Sequence, residues 1–360
     1  MVAATRSSVP YCAVDAPVPA SPTPAASAAH DGSENGHVGS PLPPNVRIVR
    51  TTDQTLLAVA RRLVSQSQRD SEAAAQRLVS NAADHGIDLR LSWFTAGEDN
   101  LVRQACLTVP GAGRTAVIYV SEPPRSGDAG GHESGVRERA ALVSAACSAL
   151  ASEHAGRVRI VQALPDPGER WATGAYARVP MRHVGNLAYM RRPPRPTDKS
   201  LTPKASHGAG IEIVPGRSVD DDAVVRAMDA SYEATLDCPE LCGLRGTSEI
   251  LASHKSVGVM DRSLWWVVTE RGEPKGCAIF APCPAQRGFE LVYVGLAPGL
   301  RGRGIGRSLL NLGIASCAAI SPAWSMTCAV DERNAPAIRM YESLGFRSFA
   351  KRVAFVKPVP

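Results

Sequence analysis

Arg301-Gly302-Arg303-Gly304-Ile305-Gly306-Arg307 lies between two patterned runs. Before it, Phe289-Glu290-Leu291-Val292-Tyr293-Val294-Gly295-Leu296 is short and rich in β-branched residues, and Pro298 ends it. After it, Leu309, Leu310, Ile314 and Cys317 recur at helical spacing. The stretch therefore predicts strand, glycine-rich turn, helix. Three glycines let the backbone approach a ligand closely, and a helix N-terminus aims free N–H groups at an anion. With three arginines added, the loop reads as a pyrophosphate site.

Two nucleotide motifs fail on spacing. A dinucleotide fingerprint starting at Gly302 and Gly304 would need a glycine where Arg307 stands, and a P-loop would need a glycine at Arg301 and a lysine at Arg307. Gln/Arg-x-x-Gly-x-Gly/Ala does fit, at Arg301, Gly304 and Gly306. Downstream, Trp324–Val330 reads as the next strand. It is followed by Asn334-Ala335-Pro336-Ala337-Ile338-Arg339-Met340-Tyr341-Glu342-Ser343-Leu344-Gly345-Phe346. Asn334 suits an N-cap, Pro336 a first helical turn and Gly345 a C-terminal stop. The two signatures, in this order and on these elements, resemble those of the GCN5-related N-acetyltransferases, the GNAT superfamily. The resemblance is strongest over 285–347 and looser over 208–358.

Composition bounds the rest. The chain of 360 residues is long enough for two domains, and 44% apolar content can build real cores. No run is long and apolar enough to span a bilayer, and the N-terminus lacks the layout of a signal peptide. Nine cysteines without a CxxC pair or His/Cys clustering give no metal site and point to reduced thiols in a cytoplasm. A net charge of +6 without aromatic-basic interleaving favours solubility over nucleic-acid binding.

The expected fold class is α/β, with a mixed α+β sheet, in two tandem GNAT-like domains. Each domain is a central, mostly antiparallel sheet flanked by helices. Residues 1–44, rich in Ala, Pro, Ser and Gly, form a disordered tail. Residues 45–192 form a degenerate GNAT-like domain, 193–207 a Pro-rich linker, and 208–360 the catalytic GNAT domain. In the last of these the pattern gives β-α-α-β-β-β-α-β-α-β. The same order is legible upstream: strands at Val46–Arg50, Leu89–Phe94, Gln104–Val109, Ala116–Val120, Val158–Ala163 and Gly185–Met190, with helices among them. Gly174-Ala175-Tyr176 and Ala188-Tyr189-Met190-Arg191 echo Gly345-Phe346 and Ala354-Phe355-Val356-Lys357. This predicts a repeat of one fold; the alternative is an unrelated α/β domain. The first copy lacks the loop, having Ser121-Glu122-Pro123-Pro124 and a Gly/Ser/Asp insertion instead, so it is expected to be silent.

The resemblance implies site residues. The pyrophosphate of acetyl-CoA would rest on Arg301, Gly302, Arg303, Gly304, Ile305, Gly306 and Arg307, and its pantetheine arm on the backbone of Val294, Gly295 and Leu296. Asn334 would cap its helix or touch CoA. Tyr341 would protonate the leaving thiolate. An amine attacks a thioester only when neutral, and an alkyl ammonium has a pKa of about 10, so a base is needed. Glu290 holds the place of the base in histone-acetylating relatives; water chains are the alternative. Asp237 and Glu240 lie where GNAT proteins shape the acceptor cleft and would attract a cationic amine. Buried Cys238 reads as structural.

The expected function is acetyl-CoA-dependent N-acetyl transfer to a primary amine of a small molecule or peptide, by direct attack on the thioester. No metal, nucleic acid or membrane takes part. The alternatives are a non-catalytic acyl-CoA-binding sensor and a tandem acyltransferase like the mycothiol synthases. The sequence leaves the acceptor, the acyl length and the oligomeric state open.

Overall fold

The computed structural model describes residues 42–64, 70–123, 131–204 and 207–359. The expected disordered tail, except residues 42–44, and the insertion at 124–130 lie outside them. The first half runs β1 (Arg47–Arg50), α1 (Leu56–Leu63), α2 (Ser71–Asn81), β2 (Ser92–Ala96), β3 (Val102–Gly111), β4 (Thr115–Val120), α3 (Gly131–Glu153), β5 (Ile160–Ala163), α4 (Arg170–Ala177) and β6 (Arg182–Arg192). The second half runs β7 (Ile211–Pro215), α5 (Asp221–Tyr232), α6 (Thr247–Lys255), β8 (Trp265–Glu270), β9 (Glu273–Cys283), β10 (Gly288–Leu296), α7 (Ile305–Ile320), β11 (Ser325–Asp331), α8 (Ala335–Ser343) and β12 (Arg347–Pro358). Short 3₁₀ turns lie between several of these elements. Both halves thus follow the order β-α-α-β-β-β-α-β-α-β.

Local chemistry explains the boundaries. The Asp220 carboxylate accepts the Ala223 N–H at 2.8 Å and starts α5. Asn334 does the same for α8 through Ala337 N–H at 3.3 Å. Several boundaries shift by one to three residues from the pattern, and one shift has a visible local cause. Leu89–Leu91 forms a 3₁₀ turn because Asp88 caps the Arg90 N–H at 2.9 Å, so β2 begins only at Ser92.

The strands join one mixed sheet in the order β1-β2-β3-β4-β5-β12-β6-β11-β10-β9-β8-β7. That order is a palindrome of the two halves, with their last strands exchanged. β12 pairs with β5 of the first half, and β6 pairs with β11 of the second. β6 and β12 pair with each other at the centre. Each half therefore supplies the strand that covers the other's edge, which removes two exposed ladders.

The second half's core gathers around Phe280, Phe289, Leu291, Leu309, Leu310 and Phe346, all at most 5% exposed. Each such side chain contributes about 1.5–3 kcal/mol of burial. A separate core packs α3 on β4 and β5 through Leu142, Val143, Ala146 and Leu150. At the seam, Ile160 and Val184 of the first half pack with Cys238, Ala354 and Val356 of the second. The 193–207 segment is tied down where it is described. Arg192 and Asp198 pair at 2.5 Å with both side chains 4% exposed, Asn311 donates to Thr202 O at 2.9 Å, and Lys204 N–H donates to Ser308 Oγ at 2.9 Å.

Candidate active site

β10 and β11 run parallel and pair only at Gly288–Ser325, Phe289–Met326 and Glu290–Thr327. Beyond Glu290 the ladder stops, although β10 continues to Leu296 and β11 to Asp331. The result is a wedge that opens toward the glycine loop. On its other edge β10 pairs with β9, with a bulge at Val292 between Leu291 and Tyr293.

The register fixes which backbone groups face the wedge. Ala297 N–H donates to Lys275 O at 2.7 Å, toward β9. In an antiparallel ladder the direction alternates. The pairs Leu296–Gly276 and Val294–Ala278 are therefore the non-bonded kind, and the N–H groups of Leu296 and Val294 point into the wedge. Gly295, between them, is where α5 touches the sheet: a Cβ there would lie 2.6 Å from both Ser231 Oγ and the Tyr293 hydroxyl. Those two hydroxyls hydrogen-bond each other.

The loop itself is open. Gly302 and Gly304 take φ of +73° and +83°, and a Cβ at either would meet nothing within 4 Å. Gly304 is the N-cap of α7 without any side-chain cap, so the first N–H groups of α7 have no capping side chain. Arg303 and Arg307 are exposed. Arg303 touches His207 O at 3.0 Å, and Arg307 touches Ser343 Oγ at 2.5 Å. Arg301 is engaged differently. Its guanidinium donates to Leu296 O (2.9 Å), Ala234 O (2.8 Å), Ser231 O (3.0 Å) and Glu233 O (2.7 Å), all backbone carbonyls.

Two groups meet the wedge from opposite faces. Glu290 lies opposite Ala281, and Tyr293 opposite Ile279. These share a face, the one on which Tyr293 meets α5. Tyr341 comes from α8, which sits beside α7 through Met340 and Gly306. It is 5% exposed, with its ring 5.7 Å from Phe346. Burial first, then the nearby Cys328 and Asp237, push its hydroxyl well above the usual tyrosine value, so it keeps its proton at neutral pH.

The α5–α6 loop is pinned to the end of β11. Asp331, fully buried, accepts Cys238 N–H at 3.1 Å and the Arg333 guanidinium at 2.6 Å. Burial works to raise the Asp331 carboxyl, but the bonds from Arg333 and the two N–H groups outweigh it and hold it low. Arg333 also holds Glu240 at 2.6 and 2.9 Å, which lowers that carboxyl. The expected acceptor residue Glu240 is thus engaged in an ion pair. Asp237 accepts Asp331 N–H at 2.8 Å, and burial raises its carboxyl. Asp237 lines a cavity of about 340 Å³ with Tyr232, Arg245 and Thr247, closed by Ile160 and Gln162 of the first half. Cys238 is fully buried, its thiol pushed up to about 12, in keeping with a structural role.

The corresponding wedge in the first half is filled. β4 pairs with β3 without a bulge. Tyr176 of α4 donates its hydroxyl to Ile118 O at 3.1 Å. Arg139, 1% exposed, donates to Ser121 O at 2.6 Å. The carbonyls at the end of β4 are thereby satisfied from within. Composition and spacing gave no sign of Arg139, whose partner is a backbone carbonyl, nor of the Asp331–Arg333 pin, whose targets Cys238 and Glu240 lie 93 residues upstream.

Among the described residues, no group of three or more His, Cys, Asp or Glu could hold a metal ion, and no helix is long and apolar enough to cross a membrane. Residues 232–346 match the profile of the Acetyltransferase (GNAT) family. A GCN5-related N-acetyltransferase from Sphaerobacter thermophilus shares the fold: it is 18% identical, with a TM-score of 0.54 over 89% of this chain and 97% of that one. A GCN5-related glucosamine N-acetyltransferase region of a fungal multi-domain GH3 β-N-acetylglucosaminidase aligns at 12% identity with a TM-score of 0.52, over 87% of this chain and 38% of that one. No curated protein matches the chain. The glycine loop, the splayed strands and the asparagine-capped tyrosine helix all lie inside the matched span, so the second half of this chain carries a domain similar to those of the GNAT family.

Proposed function

We propose that the chain is an acetyl-CoA-dependent N-acetyltransferase with one working site, in its second half. The observation that carries this reading is the convergence of three features on one wedge: the uncapped N–H groups of the Gly302–Gly306 turn, the inward N–H groups of Val294 and Leu296, and the buried, protonated Tyr341.

The turn and the start of α7 bind the pyrophosphate through backbone N–H groups, with Arg303 and Arg307 adding charge at the rim. The N–H groups along β10 hold the pantetheine arm and polarise the thioester carbonyl as its oxygen gains negative charge. The acceptor amine enters from the α5 side. Glu290, on that face, takes the ammonium proton directly or through water. The amine nitrogen bonds to the acyl carbon, the C–S bond breaks, the Tyr341 proton passes to the thiolate, and the proton that the nitrogen sheds on becoming an amide returns through water to Tyr341. The products are an amide and CoA thiol. Asp237, at the cavity beneath the α5–α6 loop, offers a negative partner for the acceptor's cationic end.

The test is thiol release from acetyl-CoA against a panel of small and peptide amines. Amine-dependent release supports the reading. Tight acyl-CoA binding with no release for any amine would replace it with a sensor.

A further inference from the structure

Arg301 opens the loop signature, yet none of its hydrogen bonds is turned toward a phosphate. Its four bonds run to carbonyls of Leu296, Ser231, Glu233 and Ala234. Three of these are the last carbonyls of α5 and the first of the α5–α6 loop, which a helix leaves unsatisfied. A guanidinium fork at a helix C-terminus meets both the orphan acceptors and the negative end of the dipole. The fourth carbonyl is on β10 at the wedge mouth. Arg301 therefore bridges three parts: the glycine turn through its own backbone, the wedge strand, and the start of the acceptor loop.

The loop needs such a bridge. Ala234 holds φ at +48°, and so does Cys238, both non-glycine residues in the left-handed region. That conformation is costly and persists only where the surroundings impose it. The Ala234 carbonyl is bound by Arg301, and Cys238 N–H by Asp331. Asp237 sits between these two anchors. One comes from the start of α7 and the other from the end of β11, so both lie on elements that border the wedge.

We propose that Arg301 is a positioning residue that couples cosubstrate binding to the acceptor loop, and is not a pyrophosphate ligand. Resting on the acyltransferase reading, the coupling works as follows. Pyrophosphate on the N–H groups of residues 302–306 orders the open glycine turn. The ordered turn fixes the Arg301 backbone, and the fork then holds residues 231–234 and hence the approach to Asp237. Because coupling between two sites is reciprocal, an acceptor seated at Asp237 would tighten the turn on the cosubstrate. Lysine at position 301 keeps the charge and loses the fork.

The test is hydrogen exchange on the full chain, with and without saturating CoA, alongside CoA affinity measured by calorimetry at low and moderate salt. In the native chain CoA should slow exchange across 233–240. Given the usual strength of hydrogen bonds from charged donors, the slowing should be about tenfold or more. Arg301→Lys and Arg301→Gln should bind CoA within about threefold of the native Kd, with unchanged salt dependence, and lose the slowing. A Kd raised tenfold with a shallower salt slope, and the slowing retained, would make Arg301 a phosphate ligand and overturn the proposal. So would CoA binding to the native chain with no change across 233–240. If the native chain binds no CoA at all, the acyltransferase reading fails first and the coupling with it.

Discussion

Leu296→Pro is a perturbation whose effect can be worked from the strand register. The Leu296 N–H points away from β9, so proline there deletes no ladder hydrogen bond; the adjacent bond, Ala297 N–H to Lys275 O, remains. Proline also asks the preceding residue to be extended, which Gly295 in β10 already is. Folding should therefore survive, while one wedge-facing donor is lost. As a simple hydrogen bond to the pantetheine arm, that donor is worth about 0.5–1.5 kcal/mol, or up to tenfold in CoA affinity. As a donor to the thioester oxyanion, it is worth about 10²–10³ in kcat. Leu296→Ala is the matched control, because it trims the side chain and keeps the N–H. The assay pairs thiol release under saturating acetyl-CoA with CoA affinity by calorimetry, and thermal unfolding checks that both variants fold. The expected order is native, then alanine within about threefold of native, then proline far below, on the reasoning that only backbone donors act there. A folded proline variant no worse than alanine would refute the assignment of this edge of β10 to the cosubstrate.

Tyr341→Phe should lower kcat by about 10² or more, the usual worth of a general acid, while Kd for CoA and Tm stay near native because the ring keeps its place against Phe346. Single-turnover kinetics check it, and an unchanged chemical step would remove Tyr341 from the mechanism. Asp198→Asn should destabilise the chain by about 3–5 kcal/mol at pH 7, since it strands buried Arg192. Burial alone would raise the Asp198 carboxyl, but the Arg192 guanidinium holds it low. Its contribution is thus full above the unfolded value of about 3.9 and fades as pH falls through the folded one, so urea unfolding should show the gap between native and variant closing below about pH 4. A fragment beginning at residue 193 lacks β6 and leaves the β11 edge bare. It should be less stable and more prone to associate than the full chain, as read by unfolding and light scattering; a monomeric fragment of equal Tm would contradict the exchange of strands.

What the sequence made legible was local. Gly302 and Gly304 advertise positive φ, Asn334 advertises a cap, and the residues between them carry the periods of strand and helix, so the order of elements in both halves can be read along the chain. The absence of a glycine loop after β4 was equally plain. Pairings across distance were not legible. Nothing in Arg182–Arg192 or Arg347–Pro358 says which half each strand will complete, because both alternate acceptably against either neighbour. The side chain of Arg301 looked like one more cation for a phosphate, since carbonyls some 70 residues away leave no trace in a six-residue pattern. Glu240 looked available for an amine because its partner, Arg333, lies 93 residues downstream. The bulge at Val292 has no glycine to announce it, and Arg139 reads from its pattern as an ordinary solvated helix residue.

The central claim is that one acyl-CoA site exists per chain and that the Gly302–Gly306 turn forms it. Calorimetric titration with acetyl-CoA tests this most directly, on the native chain and on Gly304→Val. At position 304, φ of +83° strains any β-branched residue, although the surroundings leave room for its side chain. The account predicts a stoichiometry of one for the native chain, and no measurable binding for a Gly304→Val chain that still unfolds cooperatively. Two equivalents bound by the native chain, or one that survives Gly304→Val undiminished, would contradict it.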